Sequence, residues 1–227
     1  MNLNDGYDRL QEIIGHCYKD PDLLVCALTH SSYRNEKHNA ADYERLEFLG
    51  DAVLELTVSE FLYKEDPAMP EGDMTKIRAS LVCEPTLAYC AKELDLKEYI
   101  LLGRGEEKTG GRNRESIISD VFEAIIGSLY LDGGFECARR FISRFVLTGY
   151  RDKIGFRDSK TTLQEYIQDK GYELRYELAG EEGPDHNKVY TVNVLINGTV
   201  SGTGRGSSKK RAEQGAAYEA LKMFNRG

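Results

Sequence analysis

The spacing of hydrophobic residues changes about two thirds of the way along this 227-residue chain. Up to residue 150 they recur every three or four positions, as in Leu46, Leu49, Val53 and Leu56, which is the pattern of an amphipathic helix. Beyond residue 160, short runs alternate between hydrophobic and polar residues, which is typical of half-buried strands. We therefore predict an all-α domain over 1–150 and a second domain of another class.

The second domain, 161–227, is predicted to be small and α+β, with the element order α-β-β-β-α. Its elements are expected at 161–170, 173–179, 188–196, 199–204 and 207–225. The dipeptide Asn197-Gly198 is a strong signal for a two-residue hairpin turn between the last two strands. The polar, charged segment 151–160 is predicted to be a linker between the two domains.

Composition excludes several classes of protein. No hydrophobic run approaches the roughly 18 residues that a membrane span needs, and the polar N-terminus is not a secretory signal. The five cysteines form no Cys-x-x-Cys pair, which favours reduced thiols over a thiolate zinc site. The net charge is −8, but basic residues outnumber acidic ones from residue 200 onward, and such a patch can bind phosphate. We expect a cytoplasmic protein without membrane contact.

One predicted helix carries a stripe of acidic residues. Glu44, Glu47, Asp51 and Glu55 fall within about 80° of one another on a helical projection, opposite its hydrophobic residues. Like charges at these spacings repel each other on an exposed helix by roughly 0.2–0.5 kcal/mol per pair. For this helix alone, a solvated surface is an equally good interpretation.

A second helix favours a functional interpretation. Asp120 and Glu123 share one face of a segment, 117–127, in which nearly every other residue is hydrophobic. A helix of this kind is buried on most sides, and burying unpaired carboxylates is costly. Either ion pairs with Arg112 or Arg114, or a bound metal ion, would offset that cost.

If the two helices face each other, their acids meet. Glu47, Asp51, Asp120 and Glu123 would then form a cluster of oxygen ligands, which suits a hard divalent ion such as Mg²⁺ or Mn²⁺. A site of this chemistry can activate water and assist hydrolysis of a phosphodiester.

These motifs resemble the bacterial ribonuclease III family. The resemblance is carried by ERLEFLGDAVL at 44–54 and SDVFEAIIGSLYLDGG at 119–134, with further agreement in LTHSSY at 28–33 and EGDMTKIRASLV at 71–82. The C-terminal segment resembles a double-stranded RNA-binding domain. Together the two resemblances cover nearly the whole chain.

The resemblance implies an all-α endonuclease domain joined to a double-stranded RNA-binding domain, working as a homodimer with Mg²⁺, for which Mn²⁺ can substitute. It implies hydrolysis of one phosphodiester on each RNA strand, leaving 5′-phosphate and 3′-hydroxyl ends with short 3′ overhangs. Processing of ribosomal RNA and mRNA is the family's expected role. The residues carried over are the metal ligands Glu47, Asp51, Asp120 and Glu123, of which Asp51 and Glu123 are catalytic, the possible active-valley acids Glu44 and Glu71, and the dimer contact Phe48.

The C-terminal domain offers three groups of candidate RNA contacts. They are Gln164, Gln168, His186, Ser208, Lys209 and Lys210. The glutamines lie one helical turn apart and can bond sugar hydroxyls, and the histidine leads a turn that can reach a second minor groove. The last three begin a helix whose N-terminal N–H groups attract phosphate. Glu213 stands where such domains often have lysine, so we expect somewhat weaker phosphate binding.

Two other classes of function stay open at this point. The chain could be a double-stranded RNA-binding protein whose helical domain serves only for dimerisation, but the four intact acids disfavour this. It could also be a helical metal-binding protein unrelated to RNA, which the C-terminal domain disfavours.

Overall fold

The computed structural model describes the backbone of residues 3–37, 41–183, 188–206 and 208–224, and the side chains of these residues except 3–6 and 151–158. The chain divides into two compact units, the first ending at Tyr150 and the second beginning at Arg151.

The regular structure of the first unit is helical, which confirms the predicted all-α fold. Its helices are α1 (Leu3–Ile14), α2 (Pro21–Ala27), α3 (Ser31–Lys37), α4 (Glu44–Glu65), α5 (Glu71–Leu81), α6 (Glu84–Cys90), α7 (Arg104–Lys108), α8 (Glu115–Gly133) and α9 (Phe135–Ile142). Short 3₁₀ turns at Ala91–Leu94, Leu96–Glu98 and Gly111–Asn113 and a π turn at Ser143–Leu147 connect or extend them.

Helix α8 lies in the core of this unit, because its residues are hydrophobic on nearly every side. Val121, Phe122 and Ile125 are fully buried. Helix α4 packs more extensively against α8 than against its other neighbours. This pair of helices therefore sets the architecture around the predicted acids.

The two helices cross in direct backbone contact at two glycines. A Cβ atom placed on Gly50 would lie 1.8 Å from the carbonyl oxygen of Glu123, and one placed on Gly127 would lie 2.2 Å from that of Leu46. Only glycine allows so close an approach, since it has no side chain to hold the backbones apart. The crossing brings the residues around Gly50 next to the turn of α8 that contains Glu123.

The prediction that Leu46, Leu49, Val53 and Leu56 form the buried side of α4 is wrong at Leu56. Leu46 and Val53 are buried as predicted, but Leu56 is 59% exposed. The close contact at Gly50 turns a different side of α4 toward the core, and Thr57 is buried on that side. A pattern that counts only hydrophobic side chains cannot locate a helix contact made through a glycine.

The second unit has the predicted order α-β-β-β-α, and the α+β prediction is confirmed. Its elements are α10 (Tyr150–Asp169, almost all of it in this unit), β1 (Leu174–Glu182), β2 (Val189–Ile196), β3 (Thr199–Gly206) and α11 (Lys209–Phe224). The strands form an antiparallel sheet in the order β1-β2-β3. Asn197 and Gly198 have φ of 48° and 78°, as the predicted hairpin turn requires. The core holds Val192 and Val194 of the sheet, Leu163 and Ile167 of α10, and four alanines of α11.

Residues 151–160, which were predicted to be a linker, instead form the first half of α10. The segment RDKIGFRDSK contains no proline and a single glycine, and its arginines and lysines have good helix propensity. Polar composition argues against burial of a segment, but it does not exclude a helix.

Candidate active site

The four predicted acids lie on the two crossing helices. Glu47 and Asp51 are on α4, while Asp120 and Glu123 are on α8. Asp51 directly follows Gly50, whose backbone touches that of Glu123. The helix contact therefore brings acids of the two helices to the same place.

The pKa shifts show that these carboxylates act on one another. Burial raises the pKa of Glu123 to about 8, with further contributions from Asp51, Glu47 and Asp120. Burial likewise raises the pKa of Glu47 to about 7, assisted by Asp120, Glu44 and Asp51. Since each of these two acids is affected by carboxylates of the opposite helix, the structure brings all four into one cluster.

The two aspartates are also perturbed. Burial and, to a lesser degree, Glu55 raise the pKa of Asp51. Burial raises the pKa of Asp120, while a hydrogen bond from Tyr43 opposes the shift. All four groups are thus held in surroundings that disfavour their ionised form.

Ion pairing does not account for the cluster. Arg112 pairs with Glu107 at 2.6 Å, and Arg114 pairs with Glu106 at 2.7 Å, so both arginines considered as partners for Asp120 and Glu123 are engaged elsewhere. Within the described part of the chain, none of the four clustered carboxylates takes part in a salt bridge.

The donor chemistry of the cluster fits a hard divalent cation. Among the residues that the structure describes, no group of three or more His, Cys, Asp or Glu side chains is arranged to hold a metal ion as it stands. The four acids nevertheless offer only oxygen ligands, they are crowded and partly buried, and none of them forms a salt bridge among the described residues, although His30 acts to lower the pKa of Asp120. These are the conditions in which Mg²⁺ or Mn²⁺ stabilises ionised carboxylates.

The remaining predicted acids differ in their relation to the cluster. Glu44, the first residue of α4, raises the pKa of Glu47 and so lies close to the site. Glu71, the first residue of α5, is exposed and hydrogen-bonded within its own helix, and it affects none of the four pKa values. The structure therefore gathers Glu44 but not Glu71.

Sequence reasoning missed two residues near the cluster. Tyr43, just before α4, donates a hydrogen bond to Asp120 Oδ2 at 3.4 Å. Glu84, the first residue of α6, contributes to the raised pKa of Asp120. Tyr43 directly precedes the helix that carries Glu47, but its contact with Asp120, like that of Glu84, depends on how segments distant in sequence pack together.

The candidate RNA contacts are exposed on the second unit. Gln164 and Gln168 lie one turn apart on α10, and Lys209 and Lys210 are exposed at the start of α11. Ser208 is also exposed, and its Oγ accepts a hydrogen bond from the Arg211 N–H at 3.3 Å, so it caps α11. His186 lies outside the described residues.

Glu213, expected to weaken phosphate binding, has a cationic partner. Its Oε2 lies 2.5 Å from Lys160 Nζ, and the Lys160 backbone N–H also donates to Gln214 Oε1 at 2.8 Å. The pair joins α10 to α11 and offsets the negative charge of Glu213 next to the lysines of α11.

Comparison with known proteins agrees with this division into two units. The family model described as Ribonuclease-III-like matches residues 20–150, and the double-stranded RNA binding motif matches 159–223. Among the described residues, no helix is both long and apolar enough to cross a membrane. The chain thus combines a nuclease unit with a double-stranded RNA-binding unit.

Similar proteins extend the match to nearly the full chain. Ribonuclease 3 from Listeria monocytogenes is 48% identical, over 96% of this chain and 97% of its own length. Ribonuclease 3 from Bacillus licheniformis is 50% identical, over 96% of this chain and 89% of its own length. A solved structure of the nuclease domain of ribonuclease III from Campylobacter jejuni is 43% identical, covers 61% of this chain and 94% of its own, and has a TM-score of 0.58. The chain belongs to the ribonuclease III family and is an endoribonuclease.

Proposed function

We propose that the chain hydrolyses double-stranded RNA in a reaction that depends on a divalent metal ion, Mg²⁺ or in its place Mn²⁺. Glu47, Asp51, Asp120 and Glu123 hold the metal, and Asp51 and Glu123 are the catalytic pair. The observation that carries this proposal is the cluster itself, in which burial raises the pKa of all four carboxylates, the other acids add to the shift at Glu47 and Glu123, and none of the four forms a salt bridge among the described residues. Membership of a family that uses divalent metal supports it.

The protein's own part in the reaction is to position and to bind. The backbone contact at Gly50 and Gly127 fixes the spacing of the two acid-bearing helices, so that ligands from both can converge. A bound divalent ion would activate water and stabilise the leaving oxygen of the phosphodiester. We expect products with 5′-phosphate and 3′-hydroxyl ends and short 3′ overhangs.

The second unit is proposed to bind the RNA substrate. Gln164 and Gln168 are proposed to bond sugar hydroxyls in the minor groove, with His186 reaching a second groove. Lys209 and Lys210 are proposed to bind phosphate, helped by the N-terminal end of α11 and by Ser208. The exposure of the two glutamines, the two lysines and Ser208 supports these roles.

We further propose that the chain is a homodimer, with each subunit cleaving one strand. Helix α4 presents large hydrophobic residues to solvent, with Phe48 81%, Leu56 59% and Tyr63 73% exposed. These three positions fall within about 80° on one side of the helix, so a second subunit can cover them together. The Campylobacter jejuni structure was described for flexibility in the region involved in dimer formation of that nuclease domain.

Processing of ribosomal RNA and mRNA in the cytoplasm is the biological role we propose. The five cysteines are all free, which agrees with a reducing compartment.

The deciding experiment is cleavage of a long, perfect RNA duplex by the whole chain in Mg²⁺, in Ca²⁺ and in chelator. We expect cutting in Mg²⁺ that chelator abolishes, with 5′-phosphate ends. Glu123→Gln should abolish cutting and retain binding, whereas Glu136→Gln, which removes a surface acid paired with Arg139, should leave both unchanged. Tight binding by the wild type without cutting in any condition would instead identify an RNA-binding protein.

A further inference from the structure

Tyr43 links three parts of the first unit. The residue is only 4% exposed, and it directly precedes α4. Its backbone N–H donates to the Thr29 carbonyl at 3.0 Å, and its own carbonyl accepts from the N–H groups of Leu46 at 2.8 Å and Glu47 at 2.9 Å. The residue is therefore fixed at the start of the helix that carries Glu47 and Asp51.

The hydroxyl of Tyr43 reaches the other acid-bearing helix. It donates to Oδ2 of Asp120 at 3.4 Å. A phenol is protonated at neutral pH, so the hydroxyl acts as the donor and the carboxylate as the acceptor. One oxygen of Asp120 is thereby engaged, and a further hydrogen bond from the Ser119 side chain also acts on this carboxylate, so its orientation is set by its neighbours.

The ring of Tyr43 is itself held in place from a further side. The His30 ring packs against it with a centroid distance of 5.7 Å. His30 is anchored in turn, because the Ser32 backbone N–H donates to its Nδ1 at 3.1 Å. The hydroxyl is thus presented to Asp120 by a side chain with little freedom to move.

We infer that Tyr43 is a positioning residue for the metal site, which orients the Asp120 carboxylate through its hydroxyl and fixes the first turn of α4 through its carbonyl. This inference rests on the proposed metal-dependent function. A hydrogen-bond partner behind a ligand holds that ligand in its binding orientation, and loss of such a partner commonly weakens metal binding or activity by about 10–100-fold.

Tyr18, which lies between α1 and α2, provides a matched control because its hydroxyl also bonds α8. It is 5% exposed, and its hydroxyl lies 2.7 Å from Oγ of Ser128, a residue of α8 about two turns beyond Asp120. Tyr18→Phe removes a buried hydroxyl that bonds α8, as Tyr43→Phe does, but leaves the carboxylates untouched. Any effect of general loosening of α8 should appear in both variants.

The experiment measures binding of Mn²⁺ to the whole chain by calorimetry, without RNA, at a pH above 8 so that the acids are ionised. For Tyr43→Phe we expect about a 10–100-fold higher Kd than wild type. In cleavage assays the same variant should need correspondingly more Mg²⁺, while its kcat at saturating Mg²⁺ stays within a fewfold of wild type. Tyr18→Phe should keep the wild-type Kd, and circular dichroism should show both variants folded.

The outcomes separate the two claims. A Kd for Tyr43→Phe within twofold of wild type would overturn the positioning role and leave the metal site intact. An equal loss of affinity in Tyr18→Phe would also overturn it, because the effect would then be general. Failure of the wild type to bind Mn²⁺ would reject the metal site itself and, with it, the role of Tyr43.

Discussion

A single added methyl group at the helix crossing should disable the enzyme. In Gly50→Ala the new Cβ would lie 1.8 Å from the carbonyl oxygen of Glu123, whereas ordinary contact begins at 3.4 Å. The obstacle is backbone, so a side-chain rotation cannot relieve it, and α4 and α8 must separate locally by about 1.6 Å. A misplacement of about 1 Å in a catalytic site can cost roughly 100-fold in rate, so we expect at least that loss of cleavage.

The same substitution should lower stability. Forcing extra atoms into a packed core typically costs about 1–3 kcal/mol, although alanine is favoured over glycine in an open helix by up to about 1 kcal/mol. Gly72→Ala in α5 is the matched control, because a Cβ there meets nothing within 4 Å. Urea unfolding and initial cleavage rates would be measured for both variants. A Gly50→Ala protein as stable and as active as Gly72→Ala would refute the claim that the crossing sets the spacing of the acids.

Three further outcomes are expected. Phe48→Glu should sediment as a monomer, and an undiminished dimer would reject the α4 interface. Replacing Lys209 and Lys210 with alanine should weaken binding to duplex RNA. The slope of the logarithm of the binding constant against the logarithm of the salt concentration should become shallower by up to about 0.9 per lost phosphate contact, and an unchanged slope would show that neither lysine binds phosphate. In chelator, the melting temperature should fall as pH rises from about 4.5 to 8, because Glu47 and Glu123, with pKa values of about 7 and 8, hold protons in the folded chain that they release when unfolded. Glu123→Gln should make the melting temperature fall less steeply with pH. A pH profile identical to that of the wild type would contradict the raised pKa of Glu123.

The fold was largely accessible from sequence where hydrophobic spacing is regular. The strands and the Asn197-Gly198 turn follow from alternation and from the positive φ that this dipeptide tolerates. The linker prediction for 151–160 was wrong because polarity reports on burial and not on backbone conformation. Leu56 was misplaced because the contact at Gly50, which has no side chain to count, determines which side of α4 is buried.

The candidate site was accessible for a different reason. Asp120 and Glu123 stand out because charged residues on an otherwise hydrophobic helix need an explanation, and their spacing places them on one face. Tyr43 and Glu84 do not differ from their sequence neighbours in a way that would single them out. Their approach to Asp120 depends on how separate segments pack, which single-sequence periodicity does not encode.

The acid cluster makes the crossing of α4 and α8 a compromise between function and stability. Raised pKa values at Glu47 and Glu123 mean that ionising these groups opposes folding, since each prefers to be charged in the unfolded chain at neutral pH. The fully buried residues of α8, among them Val121 and Phe122, supply hydrophobic stabilisation that offsets this cost. Neutral substitutions at the acids should therefore raise stability in chelator while they lower activity, as expected where a site is built for a ligand and not for the fold.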